Sequence, residues 1–124
     1  MKIAIIAHDN KKADMVAFVM KRLSFFKNPK IKLFATGTTG KHIEDSGLEV
    51  ERLKSGPLGG DAQIASLLVE GNINVVLFFI DPLYSHPHEV DIHMLMRLCN
   101  VYDVPLATNY STARMIVDSL KDVG

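Results

Sequence analysis

A three-layer α/β/α sandwich around a five-stranded parallel sheet, in strand order 3-2-1-4-5, is the fold class this sequence predicts. Three observations lead there. Short runs rich in Ile, Val, Leu and Phe (residues 2–7, 31–36, 49–53, 74–80 and 104–108) alternate with stretches of helical spacing. Two of them, Ile3 to Ala7 and Val75 to Ile80, are apolar almost throughout, as strands covered on both faces must be. Each run then gives way to a short polar segment, and right-handed crossovers follow from chain handedness.

The first run stops at His8-Asp9. Beyond it Met15, Val16, Val19, Leu23 and Phe26 recur every three or four residues, with Lys11, Lys12, Lys21 and Arg22 on other faces. One helix is therefore expected, ended by Asn28-Pro29, because the residue before a proline disfavours helical backbone. The second run leads through Thr36-Gly37-Thr38-Thr39-Gly40 into a short helix from Thr38 to Asp45, stopped by Gly47. The third leads through Ser55-Gly56-Pro57-Leu58-Gly59-Gly60-Asp61 into a helix from Asp61 to Glu70, stopped by Gly71. Both terminal glycines suit the left-handed position that follows a helix. The fourth run opens a long loop, Asp81 to Asp91, before a helix that extends to Asp103, ahead of Pro105. The fifth ends at Thr108-Asn109, and a last helix runs from Ser111 to about Lys121.

With 124 residues, 48% hydrophobic and 23% charged, the chain suits one compact domain spanning residues 1–124. Lys plus Arg equals Asp plus Glu at 14 each, so no overall field recruits nucleic acid or an anionic membrane. The apolar runs are too short for a signal-peptide core or a membrane span, and a cytoplasmic setting is expected. Cys99, the lone cysteine, sits in Leu98-Cys99-Asn100-Val101 and reads as a small buried hydrophobe rather than a nucleophile.

In a parallel sheet the five polar segments share the carboxyl edge, where open α/β sheets bind ligands. Thr36-Gly37-Thr38-Thr39-Gly40 opens a helix, so free amides and hydroxyls at the positive end of a helix dipole form an anion site. Its glycines are spaced unlike those of the familiar nucleotide loops, and Gly40-Lys41-His42 lacks a hydroxyl residue after the lysine. The plainer reading is a well-capped helix. The three glycines of the Ser55–Asp61 segment let backbone approach a ligand closely, and Asp61 is either a helix N-cap or a base. Lys12, one turn beyond His8-Asp9, is a counter-charge for a phosphate-sized anion, whereas Asp9 or Asn10 could simply cap the helix. In the Asp81–Asp91 loop, His86, His88 and a carboxylate could hold a metal. Alternatively His88, oriented by Asp91 or Asp9, donates a hydrogen bond to a substrate oxygen.

Five segments carry a resemblance that spans nearly the whole chain: Ala7-His8-Asp9-x-x-Lys12, Ala35 to Gly40, Ser55 to Asp61, Asp81-Pro82 with Pro87-His88-x-x-Asp91, and Ala107-Thr108-Asn109. In this order they are similar to the methylglyoxal synthase family. The resemblance implies conversion of dihydroxyacetone phosphate to methylglyoxal and inorganic phosphate, without metal or organic cofactor, commonly in a homohexamer. It makes Asp61 the acid/base, and His8 and His88 substrate contacts. Lys12, Thr36, Gly37, Thr38, Thr39, Ser55 and Gly56 become the phosphate and substrate cradle, with Asp9, Asp81 and Asp91 completing the acidic side. Enediolate chemistry needs a carboxylate near the reacting carbon and a donor at the developing oxyanion, jobs that fit Asp61 and a neutral His88.

Members of the family usually continue past the last helix into a tail carrying an arginine near the phosphate. Arg114, inside the last helix, does not take that role, which leaves phosphate affinity and regulation by phosphate open while the core chemistry stands. Two competing readings keep the anion site: a non-catalytic regulatory module that binds phosphorylated effectors, and a phosphatase that releases dihydroxyacetone.

Overall fold

The structure, a computed structural model, describes residues 1–83 and 92–121. Its strands are β1 (Lys2–Ala7), β2 (Lys32–Thr36), β3 (Val50–Leu53), β4 (Val75–Phe79) and β5 (Leu106–Ala107). All pair in parallel, in the order β3-β2-β1-β4-β5 that the sequence predicts. Among the described residues six helices surround them: α1 (Lys12–Met20), α2 (Leu23–Phe26), α3 (Gly37–Asp45), α4 (Gly60–Val69), α5 (Ile92–Val101) and α6 (Tyr110–Lys121).

Side chains alternate across a strand, so β1 feeds two cores. Ile3, Ile5 and Ala7 pack with residues of α1, α2, α3 and α6, while Ala4 and Ile6 face α4 and α5. Every residue of β4 is buried as well, which accounts for the unbroken hydrophobicity of both central strands. The edge strand β3 instead exposes Glu51 and Arg52, which pair with Lys32 (3.2 Å) and Glu44 (3.8 Å). Charges there discourage pairing with another sheet edge.

The first helix is not continuous. It breaks at Lys21–Arg22, and the four-residue α2 carries Phe25 and Phe26 into the core. The Arg22 guanidinium donates back to the Phe18 carbonyl (3.2 Å) and to the Tyr110 hydroxyl (3.2 Å), and it lies 4.1 Å from the centre of the Phe18 ring. Phe18 in turn meets Phe79 of β4 edge-on at 5.7 Å, which fixes α1 against the sheet. Strand β5 is shorter than the apolar run 104–108, because Pro105 has no N–H for the ladder and contributes only its carbonyl, to Val76 N at 2.9 Å.

Gly47 (φ +99°) and Gly71 (φ +79°) take the left-handed conformation just past α3 and α4, as expected. Short 3-10 turns, Asp9–Lys11 after β1 and Gly56–Leu58 after β3, were not legible in the apolar pattern. They aim the polar segments over the carboxyl rim.

Candidate active site

Three of the rim segments are tied together by side chains. The Lys12 ammonium lies 2.9 Å from the Asp9 carboxylate and donates to Thr38 Oγ1, also at 2.9 Å. Lys12 therefore spans from the β1 turn to the start of α3. Gly37, at φ +52°, sits against Ser55, and a Cβ there would come within 3.2 Å of Ser55 Cα and Cβ. Only a residue without a side chain lets the Thr36–Gly40 and Ser55–Asp61 segments approach this closely.

The Ser55–Asp61 segment is closed by its own backbone. The Ser55 carbonyl accepts from Leu58 N (3.0 Å) and Gly60 N (2.9 Å), and Gln63 Oε1 accepts from Lys54 N (2.8 Å). Asp61 follows in the first turn of α4, with Gly59, not Asp61, at the N-cap. The capping alternative for Asp61 is thereby corrected: its Oδ1 accepts the adjacent Ala62 N–H at 2.8 Å, which holds the carboxylate in the first turn of the helix. Helix α3 begins one residue earlier than expected, at Gly37, and Thr36 makes no side-chain cap bond there, so the capped-helix reading fails too.

The hydroxyls of the threonine segment do not all face outward as expected. Thr38 is exposed, but Thr36 and Thr39 are buried, and Thr39 Oγ1 has no hydrogen-bond partner among the described residues. Such a buried hydroxyl calls for an explanation. Gly56 is buried as well, and Ser55 is half-buried.

On the other side of Lys12, His8 is fully buried at the end of β1 and packs edge-on against Phe78, ring centres 5.2 Å apart. Its Nδ1 accepts the backbone N–H of Asp81 at 2.9 Å, so the hydrogen of the neutral ring is on Nε2. Asp81 is held by Asn10, whose amide donates at 2.9 Å, and by Leu83 N at 3.0 Å. The Asn10 bond, then the Leu83 bond, hold the Asp81 carboxyl below the usual carboxylate range, with the Lys11 charge adding to the effect. Asp9 and Asn10 thus serve Lys12 and Asp81, and the N-cap positions of the 3-10 turn and of α1 belong to His8 and Lys11. Asn10 and Gln63 went unnoticed in the sequence because their partners, Asp81 and Lys54, are set by the fold and not by spacing.

His86, His88 and Asp91 lie outside the described residues, and with them the metal reading and the oriented-histidine reading. Among the described residues no group of three or more His, Cys, Asp or Glu is placed to hold a metal. Thr108 and Asn109 reach the same rim but not this cluster. They border a cavity of about 350 Å³ between α1 and α6, with Lys11, Asp14, Phe18 and Ile80. Asn109 Oδ1 accepts Thr112 N at 3.0 Å, in the first turn of α6. Cys99 is buried on α5, and burial pushes its thiol up to about 11.

Comparison with known proteins places this arrangement. The family model described as MGS-like domain matches residues 10–108. The chain is 53% identical to methylglyoxal synthase of Carboxydothermus hydrogenoformans over 121 residues, covering 97% of this chain and 98% of that protein. It is 51% identical to methylglyoxal synthase of Bacillus subtilis over 123 residues, or 98% of this chain and 88% of the relative. The crystal structure of methylglyoxal synthase from Elizabethkingia anophelis superposes with a TM-score of 0.87 at 46% identity, over 94% of this chain and 76% of that one. With half its residues shared along nearly its whole length, and the sheet order in common, this chain belongs to the methylglyoxal synthase family.

Proposed function

We propose that the chain is a carbon–oxygen lyase that converts dihydroxyacetone phosphate to methylglyoxal and inorganic phosphate, with Asp61 as the base. The observation that carries the reading is the joining of three rim loops, the third of which leads into the helix whose first turn holds Asp61: Lys12 bridges Asp9 and Thr38, and Gly37 abuts Ser55.

Asp61 takes a proton from the hydroxymethyl carbon, leaving an enediolate. One carboxylate oxygen is engaged by Ala62 N–H, which leaves the other to act. The negative charge develops on the former carbonyl oxygen and needs a neutral donor whose proton affinity matches it. His88 takes that part in this reading. His8, which the family resemblance makes a substrate contact, carries its ring hydrogen on Nε2. The hydroxyl on the deprotonated carbon then gives up its proton and becomes the aldehyde, the double bond shifts toward the phosphate-bearing carbon, and the carbon–oxygen bond breaks with its electrons leaving on phosphate. The former carbonyl oxygen takes up a proton, and the resulting enol tautomerises to methylglyoxal with a proton ending on the methyl carbon. No electrons are gained or lost overall, and no cofactor is called for.

Elimination proceeds when the breaking bond stands roughly perpendicular to the enediolate plane. Lys12, Thr36, Gly37, Thr38, Thr39, Ser55 and Gly56 hold phosphate in that pose, using an ammonium, hydroxyls and the amides at the start of α3. The unpartnered Thr39 hydroxyl supports this, since a phosphate oxygen satisfies it. Asp9, Asp81 and Asp91 orient the donors.

Phosphate is both product and regulator in this reading, and the working form is a cytoplasmic single-domain homohexamer. No helix among the described residues is long and apolar enough to cross a membrane.

Incubating the protein with dihydroxyacetone phosphate and a chelator, and quantifying methylglyoxal and phosphate together, tests the reaction. Equal release of both is expected. Phosphate with dihydroxyacetone marks a phosphatase, and binding without turnover marks a regulatory module; either result rejects the proposal.

A further inference from the structure

Gln63 stands in the first turn of α4, two residues past Asp61, yet its side chain reaches out of the helix. Oε1 accepts the backbone N–H of Lys54 at 2.8 Å. Lys54 is the residue between β3 and the Ser55 turn. Its carbonyl is gripped from the other side: Gly60 packs so tightly on it that a Cβ would overlap the Lys54 carbonyl oxygen. The peptide groups on both sides of Lys54 are therefore fixed to the first turn of α4, one by Gln63 and one by Gly60. Ser55 follows directly, and its carbonyl accepts from Leu58 and Gly60.

The geometry points to Gln63 as a positioning residue of the reaction, acting through Lys54 to hold the Ser55–Gly56 backbone in fixed relation to the Asp61 carboxylate. The inference rests on the proposed role of Asp61. Gln63 and Lys54 are both exposed, so an unlatched Lys54 N–H turns to water, and little folding stability depends on the bond. What the bond restricts is orientation. Ser55–Gly56 belongs to the proposed phosphate cradle and Asp61 meets the hydroxymethyl carbon at the other end of the substrate, so slack between them separates base from proton even with phosphate bound. Misplacement on the ångström scale is costly to rate, up to about a hundredfold. An exposed latch should cost less than that ceiling.

Three measurements decide it. Gln63→Met keeps side-chain length and removes the acceptor, whereas Gln63→Glu keeps an acceptor oxygen. With dihydroxyacetone phosphate as substrate, Gln63→Met is expected to lower kcat about tenfold with KM within about twofold, and Gln63→Glu to stay within about threefold of wild type. In an Asp61→Asn background, Gln63→Met is expected to change the residual rate by less than about twofold, because its route to the reaction is already cut. Wild-type kcat in Gln63→Met, equal losses in the Met and Glu variants, or a full tenfold loss on top of Asp61→Asn overturns the inference. Asp61→Asn turning over like wild type overturns the base assignment and this inference together, whereas a dead Asp61→Asn beside an active Gln63→Met overturns the inference alone. Hydrogen exchange at the Lys54 amide needs no variant to fold: protection is expected, and exchange at the rate of an unstructured amide overturns it.

Discussion

The Lys12 ammonium donates to Thr38 Oγ1 at 2.9 Å while lying 2.9 Å from Asp9, so one cation joins the turn after the central strand to the helix that opens the neighbouring loop. Asp9 is largely exposed, and such a pair contributes at most about 1 kcal/mol to folding once water screens it. Its value is positional. The cation is held at the start of α3, where the helix dipole and uncapped amides already favour an anion.

Replacing Lys12 should therefore separate binding from stability. Lys12→Met is expected to lower kcat/KM about a hundredfold, mostly through KM, and to move Tm by only a few degrees. Steady-state kinetics and a thermal melt on the same preparation check this. A KM unchanged from wild type removes Lys12 from the phosphate cradle.

Asp61→Asn keeps the shape of the residue and its bond to Ala62 N–H but removes the base. Turnover should fall at least about a hundredfold with substrate affinity kept within about tenfold. Turnover near wild type rejects Asp61 as the proton acceptor.

The fold was legible because its information is local and periodic. Unbroken apolar runs at β1 and β4 marked buried central strands, and Gly47 and Gly71 marked helix ends. The break at Lys21–Arg22 was hidden: Leu23 and Phe26 stay in helical phase with Val19, and only contact of Arg22 with Phe18 and Tyr110 shows where the chain turns. In the site, Lys12 could be assigned to the threonine loop from spacing and charge. Asn10 and Gln63 could not, since each acts on a residue brought near only by the folded sheet.

Asp81 supplies a pH prediction. Its depressed carboxyl pKa means the folded state favours the ionised form, so the stabilisation is present above the ordinary carboxylate pKa and is lost as pH falls through the lower, folded value. Asn10 is the largest cause. Asn10→Ala should shift the Asp81 titration upward, toward the ordinary carboxylate value, as followed by NMR of the side-chain carboxyl. An unmoved titration means that Leu83 N–H and the nearby positive charge suffice.

Cys99 is buried against the α4–α5 side of the sheet, with its thiol pushed up to about 11. A raised folded value adds stability below the unfolded thiol pKa, and that contribution is lost as pH climbs toward 11. The folded protein at pH 8 should react with a thiol reagent at least about a hundredfold more slowly than the unfolded chain. Cys99→Ala should retain turnover. Rapid labelling of the folded protein, or loss of turnover in the variant, contradicts its role as a packing residue.

Two adjacent glycines before Asp61 make the sharpest contrast. Gly59 has φ +106° and open space around a hypothetical Cβ, so Gly59→Ala meets only backbone strain, roughly 1–2 kcal/mol. A Cβ on Gly60 has ordinary backbone angles but collides with the Lys54 carbonyl, a backbone atom that no rotamer change can move aside. Relief requires the Ser55 turn and the start of α4 to part, at about 3 kcal/mol or more, the upper end of overpacking costs. Gly60→Ala should therefore lower Tm more than Gly59→Ala. Turnover should diverge: Gly59→Ala is expected to keep at least about a third of wild-type kcat, whereas Gly60→Ala, which pushes Asp61 away from Ser55, should lose more than about tenfold. Equal kcat values in the folded forms of the two variants show that the spacing between Ser55 and Asp61 does not govern the rate.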